Sequence, residues 1–86
     1  MTYEIEIARP ARKQFKKLDT EVRRRIARRI DGLANEPRPD GIVKLSDVSP
    51  PLYRVREGQY RILFTNEDDR LIVLVVRIGH RSEVYK

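Results

Sequence analysis

The segment YRVREGQYRILF, Tyr53–Phe64, leaves a chain little choice of local fold. Apolar and polar residues alternate on both sides of Gly58, the period of a half-buried strand. A two-residue turn at Gly58-Gln59 suits a hairpin with glycine in its first central position. Glu57 then opposes Tyr60, Arg56 opposes Arg61, Val55 opposes Ile62 and Arg54 opposes Leu63. Strand side chains alternate between faces. Tyr53, Val55, Ile62 and Phe64 therefore share one face, which suits a core. Arg54, Arg56 and Arg61 share the other.

The rest of the chain supplies a cover for the apolar face. Residues 2–7 alternate, with Tyr3, Ile5 and Ile7 on one side of a strand. Pro10 suits the first turn of a helix carrying Ala11, Phe15 and Leu18. Asp19 or Thr20 caps a second helix with Val22, Ile26, Ile30 and Leu33 on one stripe. Neither helix is stable alone, so their stripes pack on a sheet. Residues 36–51 hold Pro37, Pro39, Gly41, Pro50 and Pro51 and read as a loop. Residues 52–56 and 60–65 are the hairpin strands. Arg70–Ile78 is a strongly apolar strand, ended by Gly79. The expected fold is α+β, in the order β-α-α-β-β-β. Two helices cover one face of a mostly antiparallel four-stranded sheet, in a single domain spanning residues 1–86.

Like charges directly opposed in a sheet are destabilising. Three arginines gathered on one face therefore point to an anion that sits there. The planar guanidinium fork donates two parallel hydrogen bonds and fits phosphate. The bland alternative is a solvated face whose charges point apart into water. Composition favours the anion: nineteen Lys and Arg face thirteen Asp and Glu, a formal +6. Such a balance suits a polyanionic partner, most often nucleic acid, although an acidic protein would satisfy the same field. On the helices, Arg12, Lys13, Lys16, Lys17, Arg24, Arg25 and Arg28 are expected to steer and bind RNA or a ribosome. The chain has no cysteine, so no disulfide or thiolate site is available. Its N-terminus has no apolar signal segment, and its longest apolar run, Leu71–Val76, is too short to span a bilayer. A soluble, cytoplasmic protein is expected.

The end of the chain, IGHRSEVYK, gathers reactive types. His80 belongs to the one type that titrates near neutrality unperturbed. Arg81 can hold phosphate. Tyr85 can donate a hydrogen bond or stack on a base. Glu83 can orient an arginine. Each also has a plainer role: a surface histidine, or a tyrosine pinning the tail. A lone histidine excludes a multi-histidine metal site, and no phosphate-loop or nucleophile-elbow pattern occurs. Neither metal nor cofactor is expected.

YRVREGQYRILF, followed by a hydrophobic strand ending in GHRSEVYK, resembles the RelE/ParE toxin superfamily over nearly the whole chain. The resemblance implies a toxin of a type II toxin–antitoxin system, of the RelE type, which enters the ribosomal A site and cuts mRNA. Arg54 and Arg56 match the basic positions of the second strand, and Arg61 the arginine after the next strand's tyrosine. Arg81 and Tyr85 match the late arginine and tyrosine. The implied catalytic set is Arg54, Arg56, Arg61, Arg81, Tyr85 and His80. The reaction would be transphosphorylation by the substrate's own 2′-hydroxyl, with the arginines holding charge. Arginine is a poor base, so Tyr85 or His80 would move protons. Implied partners are the ribosome with its mRNA and a RelB-like antitoxin encoded next door, with operator DNA reached only through that complex. Two rivals remain. ParE-type relatives share the fold but poison DNA gyrase without cutting RNA, and a passive nucleic-acid-binding module would also be basic.

Overall fold

The computed structural model describes residues 2–46 and 50–80. Strand β1 (Glu4–Ile7) leads into helices α1 (Arg9–Lys16) and α2 (Thr20–Asn35). Strands β2 (Val43–Ser46), β3 (Leu52–Glu57), β4 (Tyr60–Glu67) and β5 (Ile72–His80) follow. The sheet has five strands in the order β1-β5-β4-β3-β2. Strand β1 runs parallel to β5, and every other neighbour is antiparallel. The fold is α+β, as the pattern indicates.

The expectation of four strands is corrected by β2. Its four residues lie between Gly41 and Pro50, inside a stretch so rich in turn formers that its alternation is too short to register. It pairs with β3 at the sheet edge, with an irregularity between Lys44 and Ser46. Strand β5 also differs from expectation at both ends. Leu71 has φ +54°, a left-handed residue that closes the turn after β4, so the strand starts at Ile72. Gly79 does not end the strand; it pairs with Arg61 within it.

The two helices carry the chain from one sheet edge to the other. Helix α2 has 16 residues and spans about 24 Å, against roughly 19 Å between the outer strands of a five-stranded sheet. It buries Ile26, Ile30 and Leu33, at i, i+4 and i+7. Asp19 takes the N-cap position of α2 but its side chain makes no capping bond. Helix α1 buries Ala11. Together they meet Val55, Ile62, Phe64, Val73, Val75 and Ile78 in one core. Beyond the end of β1, the Ile78 N–H on the freed edge of β5 donates to Gln14 Oε1 of α1 at 2.8 Å. A backbone donor is thus satisfied where the sheet cannot do it.

A polar clasp holds the far end of the sheet. Tyr3 Oη donates to Asp68 Oδ1 at 2.8 Å, and Arg38 Nη2 donates to Oδ2 at 2.6 Å. Asn66, 4% exposed, donates to the Pro37 carbonyl at 2.8 Å. The Arg38 guanidinium, and then the Tyr3 hydroxyl, hold the Asp68 carboxyl below its ordinary range. A carboxyl depressed on folding contributes stability above its unfolded pKa and loses it as pH falls through the folded value. The pair is about half exposed, so the effect is small. Asp68→Asn is expected to cost about 1 kcal/mol at pH 7 in urea unfolding, with a narrower gap at pH 3. An equal gap at both pH values would contradict the clasp.

Candidate active site

The hairpin register is the one read from the sequence. Glu57 pairs with Tyr60, Arg56 with Arg61, Val55 with Ile62 and Arg54 with Leu63. Both helices pack on the side of Val55, Ile62 and Phe64, so Arg54, Arg56 and Arg61 lie on the face the helices leave open. Gly58 turns the hairpin with φ +60°, a conformation that suits glycine.

Arg61 stands at the centre of this face, on the middle strand. Arg56 opposes it from β3 and Gly79 from β5. The glycine puts no side chain beside it on β5. Arg61 is only 7% exposed, although no helix covers it. Its Nη1 makes one long hydrogen bond, 3.5 Å, to the carbonyl of adjacent Tyr60. Its Nε is buried and has no hydrogen-bond partner. A buried cation with unused donors is costly to a fold. Arg54 is half-buried and Arg56 exposed.

One basic residue on this face escaped sequence reasoning. Arg77, exposed on β5, pairs with Leu63 and so shares the face of Arg61. The signal was a lone charge within an apolar strand. A register shift between Leu63 and Phe64 hides it, because simple alternation fails across a bulge.

His80 is placed elsewhere. It pairs with Tyr60 on the helix side of the sheet, and the two rings meet edge to face at 5.6 Å. It borders a cavity of about 250 Å³ with Gln14, Lys17 and Leu18. The sheet thus separates its ring from the arginine face. Arg81 and Tyr85 lie outside the described residues. Of the helix cations, Arg12 Nε donates to the Ile7 carbonyl at 3.1 Å, Arg24 pairs with Glu21 at 3.5 Å and Arg25 with Glu57 at 3.8 Å. Lys13, Lys16, Lys17 and Arg28 are exposed. Among the described residues, no helix is long and apolar enough to cross a membrane.

Known proteins share this architecture. A family model described as the ParE toxin of the type II toxin–antitoxin system parDE matches residues 5–85. The mRNA interferase toxin RelE of Escherichia coli K12 is 29% identical, over 99% of this chain and 92% of its own. Toxin RelG of Mycobacterium tuberculosis is 25% identical, over 100% and 99%. Among solved structures, the archaeal RelE–RelB complex from Pyrococcus horikoshii OT3 superposes with a TM-score of 0.85 at 26% identity, covering 98% of this chain and 100% of that one. The isolated E. coli RelE toxin gives 0.79 at 26%, covering 96% and 90%. With a family model spanning nearly its whole length and relatives named for RelE, this chain belongs to the RelE/ParE superfamily, as a member of the ParE toxin family of type II toxin–antitoxin systems.

Proposed function

We propose that this toxin is a ribosome-dependent endoribonuclease that cuts mRNA in the A site. The observation that carries the reading is Arg61, buried on the face the helices leave open, with its Nε donor unused and a second arginine directly opposite. A phosphorane-like transition state needs such a group, because two negative oxygens develop there and preorganised guanidinium forks stabilise them. The attacking atom is the 2′-oxygen of the substrate ribose. Its bond to phosphorus forms as the bond from phosphorus to the 5′-oxygen breaks. The proton leaves the 2′-hydroxyl and another reaches the 5′-oxygen. The products are a 2′,3′-cyclic phosphate and a 5′-hydroxyl. Arg54, Arg56, Arg61 and Arg81 hold the phosphate, and the ribosome aligns the strand.

A cognate antitoxin partner is supported by two similar proteins that were solved as RelE–RelB complexes. An acidic, disordered antitoxin segment would fold over the basic surface. The toxin would act in the cytoplasm, where ribosomes are.

Tyr85 is the preferred proton carrier or base-stacking group, and His80 a supporting residue. The opposite-face position of the His80 ring favours that ranking. On programmed ribosomes, wild-type protein is expected to cut mRNA, and His80→Ala to keep most of its rate across pH 6–9. Tyr85→Ala is expected to be impaired. Tyr85→Phe separates the roles: it stays active if the ring only stacks and fails if the hydroxyl carries the proton. An inactive His80→Ala beside a fully active Tyr85→Ala would reverse the ranking.

A further inference from the structure

We propose that Arg77 holds the mRNA phosphate next to the one being cut, and so sets the register of the strand on the arginine face. The inference rests on the RNA-cleaving reading and adds a positioning residue to it. Strand β5 carries one charged residue between Ile72 and Gly79, and it is Arg77. Val73 and Val75 lie in the core, so plain alternation would send residue 77 there too. A bulge prevents it. Leu63 and Phe64 are adjacent on β4, but their partners on β5 are Arg77 and Val75, which leaves Val76 as the extra residue. That one residue puts Ile78 in the core and turns Arg77 onto the face of Arg61. Bulges recur beside active sites because they re-aim a side chain in this way.

The position suits a flanking phosphate. Arg61 pairs with Gly79, two residues beyond Arg77, so the two arginines are diagonal neighbours. Such positions lie about 7–8 Å apart, within reach of long side chains. That is close to the step between consecutive phosphates of an extended strand. Leu63 has Arg54 on one side and Arg77 on the other, so two guanidiniums flank one apolar side chain. The face thus carries two rows, Arg56 with Arg61 and Arg54 with Arg77, one phosphate step apart. Arg77 is exposed, and among the described residues no acid pairs with it. A contact of this kind orients the strand and takes no part in bond making. The plainer role is protection of a sheet edge, since β5 has no β1 partner beyond Val75 and a charge there discourages another strand.

The test uses the whole protein on programmed ribosomes under single-turnover conditions. Arg77→Gln should raise the toxin concentration for half-maximal rate about tenfold, while the rate at saturation stays within about threefold. Arg77→Lys keeps a point charge and should recover part of that loss. Arg77→Glu keeps a charge at the sheet edge but repels phosphate, so it should fall below Arg77→Gln. An mRNA with a neutral methylphosphonate one linkage to either side of the cut locates the contact. One of the two substitutions should weaken wild type about tenfold and leave Arg77→Gln no weaker than before. Wild-type half-saturation in Arg77→Gln or Arg77→Glu overturns the proposal. So does equal sensitivity of wild type and Arg77→Gln to both methylphosphonates, which would place the contact off the mRNA. Intact mRNA with wild-type toxin is a separate result, which removes the nuclease reading and this inference with it.

Discussion

Arg61→Ala is expected to slow single-turnover mRNA cleavage on programmed ribosomes by about 10²–10³-fold, the cost of about 2.7–4 kcal/mol for losing one preorganised donor to a developing anion. The same site predicts an unusual stability result. Arg61 is 7% exposed, with one 3.5 Å hydrogen bond and a buried, unpartnered Nε. A buried charge without a partner opposes folding, and replacing buried charge by a packed apolar group is often stabilising by about 1–4 kcal/mol. Arg61→Leu should therefore raise the urea midpoint while removing activity. This is the trade expected where a site is built for a ligand at some cost to the fold. Cleavage within a few-fold of wild type in both variants would remove Arg61 from the mechanism.

Replacing the ribose at the cut position by 2′-deoxyribose should abolish cleavage altogether. The proposed nucleophile is the substrate's own 2′-oxygen, so the deoxy strand has nothing to attack with. The arginines cannot take its place, because arginine is neither a nucleophile nor an easily deprotonated base at neutral pH. Binding of the deoxy-programmed ribosome should persist, since phosphate contacts are retained. Gel analysis of both mRNAs, with an affinity measurement alongside, separates the two effects. Cleavage of the deoxy strand at a comparable rate would require water as nucleophile and a different proton path.

The hairpin was legible because local alternation and one turn glycine fix register without help from the rest of the fold. Every pair from Glu57–Tyr60 to Arg54–Leu63 follows. What lay beyond it depended on events that alternation does not encode. Strand β2 exists because β3 offers it an edge, not because Val43–Ser46 carries a strong strand pattern. Arg77 joins the basic face only through the bulge in β5. The burial of Arg61 was also hidden, since a pattern assigns a face but not its accessibility. His80 is the opposite case: the resemblance grouped it with the hairpin arginines, and its pairing with Tyr60 puts its ring on the helix side of the sheet.

The family model is described for ParE, whereas the curated relatives are named for RelE, so the central question is which process the toxin stops. Pulse labelling after brief induction answers it most directly, with incorporation of amino acid and of thymidine followed in one culture and mRNA integrity in parallel. A nuclease acting on translating ribosomes predicts that protein synthesis falls first, with mRNA cut within coding regions and DNA synthesis declining later. DNA synthesis falling first while mRNA stays intact would contradict the nuclease account and assign this chain to the gyrase-poisoning branch.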